Sequence, residues 1–117
     1  MARAVRLELD SGAVVCESCL VADKPWTRMR GLLGRSELPA GEGILLRPCG
    51  SVHMMFMRFP IDVVFCDRDL QVLSVVSELR PWRFAGKRGA KVTFELAAGE
   101  AATRGVAAGA RLRTVDA

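Results

Sequence analysis

A small, mainly β (α+β) domain is the fold class this sequence predicts: a closed or half-open β-barrel of about seven to eight short strands with one short helix. Three observations predict it. Short apolar runs, several alternating with polar residues, recur along the chain between turn signals such as Ser11-Gly12 and Asp67-Arg-Asp69. Only residues 25–35 carry a sustained helical spacing. Long helices do not alternate with strands, which argues against a parallel Rossmann-like sheet. All of 1–117 is expected to form one domain, long enough for a core of its own.

The elements follow in chain order. Val5, Leu7 and Leu9 alternate with Arg6 and Glu8, the period of a half-buried strand. Ser11-Gly12 turns the chain, and Ala13 to Val21 returns it, so residues 3–21 read as a hairpin. Pro25 suits a first helical turn, and Trp26, Met29, Leu32 and Leu33 then recur on one helical stripe, predicting a helix over 25–35. Pro39 to Gly43 is a loop. Ile44-Leu-Leu46 is a short buried strand ended by Pro48 and Gly50, and Ser51 to Phe56 is another candidate. Residues 61–66 and Leu70 to Ser77 flank the Asp67-Arg-Asp69 turn as a second hairpin. Pro81 to Gly89 is a basic loop. Lys91 to Ala97 places Val92, Phe94 and Leu96 inward against Thr93 and Glu95. Gly99 to Ala108 is a connection with room for one helical turn, and Ala110 to Val115 is the last strand.

Composition narrows the function. No apolar run approaches the roughly 20 residues of a membrane span. Arg3, Arg6, Glu8 and Asp10 interrupt any hydrophobic signal core. A cytoplasmic location, away from membranes, is expected. The net charge of +4 comes from 14 Arg and 3 Lys against 13 acids, with no Tyr and no basic run. That argues against nucleic acid as the partner. Cys16-Glu-Ser-Cys19 has the spacing of a metal or redox pair, but no second close pair completes a zinc set. On a regular strand Cys16 and Cys19 point to opposite faces, so structural thiols are expected, with no metal and no cofactor.

The segment His53-Met-Met-Phe-Met-Arg-Phe-Pro-Ile-Asp62 concentrates polar groups at the mouth of an apolar strand. His53, the only histidine, is the natural acid–base candidate. Pro60 bends the chain ahead of the strand. Asp62 is placed to cap backbone amides, to pair with Arg58, or to orient His53; an Arg58–Asp62 ion pair pinning the corner is the favoured expectation. Met54, Met55 and Met57 read as soft core filling. On the predicted helix Arg28 and Arg35 share a face, and their forks suit carboxylates or phosphates. Glu95, set between Phe94 and Leu96, is a candidate partner across the domain. No nucleophile elbow and no phosphate-binding glycine loop is present. The candidate ligand-binding residues are therefore Arg35, His53, Arg58, Asp62 and Glu95, with none assigned as catalytic.

Seven segments, in order, resemble the bacterial and archaeal domain-of-unknown-function family 192. They are Arg30-Gly-Leu-Leu-Gly-Arg35, Gly43-Ile-Leu-Leu46, Cys49-Gly-Ser-Val-His53 and Met57-Arg-Phe-Pro-Ile-Asp-Val-Val-Phe65, then Leu79-Arg-Pro-Trp-Arg83, Phe94-Glu-Leu-Ala-Ala-Gly99 and Gly105-Val-Ala-Ala-Gly109. The resemblance implies a small, mainly β domain with a short helix. Met54-Met55-Phe56 and Ala110 stand where the family more often has other residues.

The functional expectation is a binding module whose Arg/His/Asp cluster takes a small anionic ligand or a protein segment. A hydrolase-type enzyme using His53 and Asp62 is the alternative. A pure protein-interaction module, built on the methionines and the 81–90 loop, is the third reading.

Overall fold

The computed structural model describes residues 3–22, 36–54 and 57–116. Nine strands are found among them: β1 (Ala4–Leu9), β2 (Val14–Ala22), β3 (Glu42–Leu46), β4 (Ser51–His53), β5 (Ile61–Cys66), β6 (Val72–Leu79), β7 (Phe84–Gly86), β8 (Val92–Ala97) and β9 (Leu112–Asp116). The helix among the described residues is α1, Glu100–Thr103, a single turn where the sequence allowed one. The helix expected over 25–35 lies outside the described residues.

Seven strands form one sheet in the order β6-β5-β8-β3-β2-β1-β9, and β4 pairs with β7 in a small second sheet. Neighbours in the large sheet are antiparallel except β2 and β3, which are parallel. The sheet curls until its edges touch at one end. There Gln71 bridges Arg111, Val72 N–H donates to the Ala110 carbonyl at 2.8 Å, and Leu112 N–H donates to that of Leu70 at 2.9 Å. No ladder continues from that bridge among the described residues, so of the closed or half-open barrel expected the closed alternative is corrected to an open, curled sheet, in keeping with the half-open one. Past the bridge β6 and β9 pair with β5 and β1 alone.

Two apolar clusters lie on the two faces of this sheet. The inner one gathers Leu7, Val15, Leu45, Val64, Phe94, Leu96 and Leu112. The outer one joins Ile44, Leu46, Val63 and Phe65 to Val52, Met54, Met57 and Leu38. Central strands β5 and β8 are therefore buried on both faces along their whole length. This is why Thr93 and Glu95, expected on an outward face, are buried. Thr93 meets the cost with a hydrogen bond, its Oγ1 donating to the Cys49 carbonyl at 2.9 Å.

The cysteine geometry also departs from expectation. Val5 pairs with Cys19 and Leu7 with Cys16, so three steps along β2 oppose two along β1. The extra residue is a β-bulge, and it resets the alternation. Cys16 and Cys19 consequently share the inner face and lie in one core cluster, not on opposite faces. All four cysteines are free thiols.

Candidate functional site

Asp62 lies at the start of β5 and is fully buried on the inner face, beside Leu96 in the register. Its two oxygens have separate duties. Oδ1 accepts from Glu78 N–H at 2.8 Å, and Oδ2 accepts from Ala101 N–H at 2.9 Å. Both amides are orphans of their own elements. Ile61 pairs with Leu79 and Val63 with Val76, so β6 carries a bulge around Glu78, whose φ is 51°. Ala101 is in the first turn of α1, where amides have no partner within the helix. Asp62 thus ties β5, the β6 bulge and α1 together. The expected Arg58–Asp62 ion pair is not formed: Arg58 is exposed, and the carboxylate is taken up by backbone.

The five expected site residues do not converge. His53 is exposed on β4, and no hydrogen bond joins it to Asp62. Glu95 pairs with Ile44 and Val63, which places it on the outer face of the sheet, opposite to Asp62. Arg35 lies outside the described residues. Glu95 has apolar neighbours on both sides and no hydrogen-bond partner for its carboxylate among the described residues. Burial alone pushes its pKa up to about 7.

At the end of the sheet near α1 a concavity of about 430 Å³ is walled by Leu38, Phe59, Pro60 and Ala97, with Glu37 and Glu100 beside them. Among the described residues its charged lining is acidic, which does not suit an anion. Glu100 is moreover engaged: its Oε1 accepts from Gly41 N–H at 3.1 Å and from Arg104 at 3.3 Å. Arg104 in turn donates to Glu17 at 2.9 Å and to the Val14 carbonyl at 3.0 Å, clamping α1 to β2.

The thiols are placed for packing. Burial pushes Cys66 up to about 12. The adjoining thiols perturb each other, Cys19 lowering the pKa of Cys16 and Cys16, with burial, raising that of Cys19. Cys16 also donates to the Gly41 carbonyl at 3.4 Å. Among the described residues no three His, Cys, Asp or Glu side chains gather as metal ligands, and no helix is long and apolar enough to cross a membrane.

The second sheet presents a different surface. Val52 and Ala85 face the outer core, so their neighbours His53 and Phe84 face solvent, paired across β4 and β7. Phe84 is 82% exposed and Trp82 61%. Trp82 has a φ of 67°, uncommon for a bulky residue, and its N–H donates to the Met54 carbonyl at 2.7 Å. Around them residues 80–91 hold five cations, Arg80, Arg83, Lys87, Arg88 and Lys91, and no acid. All five are exposed, and none makes an ion pair among the described residues. The chain has 17 basic and 13 acidic residues, so outside this segment 12 bases face 13 acids. The net positive charge resides here. The sequence marks the segment as a basic loop and a candidate interaction surface; the strand inside it and the outward Phe84 were missed.

Comparison with known proteins places these features in a family. The model of the family described as DUF192, uncharacterized ACR, matches residues 7–114. A UPF0127 protein of Thermococcus sibiricus is 36% identical over 84 residues, covering 68% of this chain and 54% of the relative. The chain thus spans about half the length of that curated relative. Among solved structures, a protein of Sinorhizobium meliloti 1021 described as a candidate transcription regulator matches with a TM-score of 0.83 at 24% identity, over 97% of this chain and 94% of that one. A protein of unknown function from Novosphingobium aromaticivorans DSM 12444 matches with a TM-score of 0.81 at 22% identity, over 96% and 84%. At these identities the two structures establish the shared fold alone.

Proposed function

The chain belongs to the DUF192 family, and from that premise we propose that it is a binding module, not an enzyme, whose contact surface is the outer face of β4 and β7 with the basic segment 80–91. The observation that carries this reading is the exposure of Trp82 and Phe84 among cations that make no ion pair among the described residues. Leaving a phenylalanine 82% exposed gains the fold nothing, and an exposed aromatic set among cations marks a surface that another molecule covers. The charge sets the sign of the partner as anionic. His53 is retained from the expected ligand-binding set as a neighbour of Phe84. Arg58, Asp62 and Glu95 are not assigned to the contact. The four free thiols accord with the reducing cytoplasm as the setting of this binding.

Photo-crosslinking tests the reading. A benzophenone amino acid is placed at position 84, and as a control at exposed position 77 on β6. Adducts are expected from position 84 and not from 77, and Trp82→Ala in the same chain should abolish them. Because Phe84 is 82% exposed, Phe84→Ala should change stability by no more than about 0.5 kcal/mol. Equal adducts from both positions, or none from 84, would remove the reading.

A further inference from the structure

We infer that the partner is an acidic, extended segment of another protein, which pairs with the outer edge of β7. This rests on the binding surface proposed above and names its occupant.

The argument begins with the β4–β7 ladder. Met54 N–H donates to the Arg83 carbonyl at 2.6 Å and Lys87 N–H to the Gly50 carbonyl at 3.0 Å. The pairing is Ser51 with Gly86, Val52 with Ala85 and His53 with Phe84. Antiparallel pairs alternate between hydrogen-bonded and non-hydrogen-bonded. The pairs 50/87 and 54/83 bond, so 52/85 bonds, and 51/86 and 53/84 do not. The N–H and C=O of Phe84 and Gly86 therefore point away from β4. Among the described residues no strand lies on that side of β7. Phe84, Gly86, Lys87 and Arg88 are all exposed.

An open edge with outward donors and acceptors is a template for another strand. Arg83 stands at one end of it and Lys87 with Arg88 at the other, and no carboxylate offsets them within 80–91. Acidic side chains on the incoming strand would meet these cations, and Phe84 would cover an apolar residue of it. The edge also separates this occupant from the other anionic candidates. Inserting the strand into a lipid surface would leave its outward amides and carbonyls without partners in an apolar medium, which costs free energy at each. A nucleic-acid strand has no regular series of donors and acceptors to match a β-ladder. An extended peptide satisfies edge, charge and aromatic together.

The test uses the full chain as bait for a displayed library of random peptides of about a dozen residues. Recovered peptides are expected to be acidic and β-prone. The tightest of them should shift the amide resonances of Phe84 and Gly86. N-methylating alternate amides of that peptide should weaken binding about tenfold, the effect of losing the ladder bonds. Lys87→Glu with Arg88→Glu should weaken it as well, and so should added salt. Phosphatidylglycerol vesicles and oligothymidine are run beside the peptides. Recovered peptides with no acidic bias, or tight binding indifferent to N-methylation, would overturn the inference and leave the binding surface standing. So would binding of vesicles or oligothymidine that needs Trp82 and Phe84 while no peptide is recovered. No binding of any probe at these aromatics would count against both.

Discussion

Replacing Glu95 by glutamine should make the protein's stability less dependent on pH. Glu95 is 8% exposed, lies between Ile44 and Val63, and has a pKa pushed up to about 7 from an ordinary 4.5 by burial. Below about pH 4.5 the group is protonated in both folded and unfolded chains and exerts no pull on folding. Between about 4.5 and 7 the unfolded chain releases its proton while the folded chain keeps it, so stability falls as pH rises. Above about 7 both forms are ionised and the full penalty remains. A separation of about 2.5 pKa units corresponds to about 3 kcal/mol at 1.36 kcal/mol per unit. This is a sizeable share of the 5–15 kcal/mol typical of a domain's stability, roughly speaking. Glu95→Gln keeps the shape and cannot ionise. Urea melts of both chains from pH 4.5 to 8.5 should show the variant gaining on the parent by about 3 kcal/mol across that span, whatever its constant offset from burying an amide. Parallel profiles would refute the reasoning, because they would mean that Glu95 ionises as easily folded as unfolded.

Three further outcomes follow from the packing. Asp62→Ala should cost about 2–5 kcal/mol in a urea melt, since it strands the amides of Glu78 and Ala101; Asp62→Asn, which keeps one acceptor oxygen, should cost less. Gly43→Ala should cost about 1–3 kcal/mol, because its Cβ would stand 2.7 Å from the Glu95 carbonyl oxygen and 3.1 Å from Cys16 Sγ, and a backbone carbonyl in a central strand cannot yield. In native protein a thiol reagent such as Ellman's should titrate Cys49 first, with Cys16, Cys19 and Cys66 reacting on the timescale of unfolding; equal reactivity of all four would contradict their burial.

The hairpins were legible because they are local. Val5, Leu7 and Leu9 alternate within a few residues of the turn at Ser11-Gly12, and β1 and β2 fall close to where that pattern puts them. Sheet closure was not legible, since it depends on how far six successive pairings curl before β6 and β9 meet. The bulge in β2 escaped for the same reason. Alternation along 14–22 is a property of β2, but the extra residue between Cys16 and Cys19 exists only in the register against β1. One inserted residue was enough to reverse the conclusion about where two thiols point. Strand β7 was hidden differently: Phe84-Ala-Gly86 has three residues, too few for a period, set in a run of turn formers and cations.

Asp62 and Glu95 show why the site itself was harder to read than the fold. In the sequence each is one carboxylate among apolar residues, and both were grouped as ligand-binding candidates, Asp62 for its place beside His53 and Arg58 at a strand mouth and Glu95 as a partner across the domain. Their physical situations are opposite. Asp62 faces two amides that the backbone leaves orphaned, one at residue 78 and one at 101, and each of its oxygens has a protein partner. Glu95, 33 positions later in the same sheet, lies between Ile44 and Val63 with no hydrogen-bond partner for its carboxyl among the described residues, and burial raises its pKa. What separates them is the location of backbone donors contributed by distant segments, and side-chain spacing does not encode that. The surface patch is the reverse case. Its charge asymmetry is written in the sequence, five cations without an acid over 80–91, and needs no tertiary information to be counted. The fold adds what the proposed binding surface needs: Ala85 faces inward, so Phe84 faces out, and the ladder with β4 turns the backbone groups of Phe84 and Gly86 to the other edge of β7.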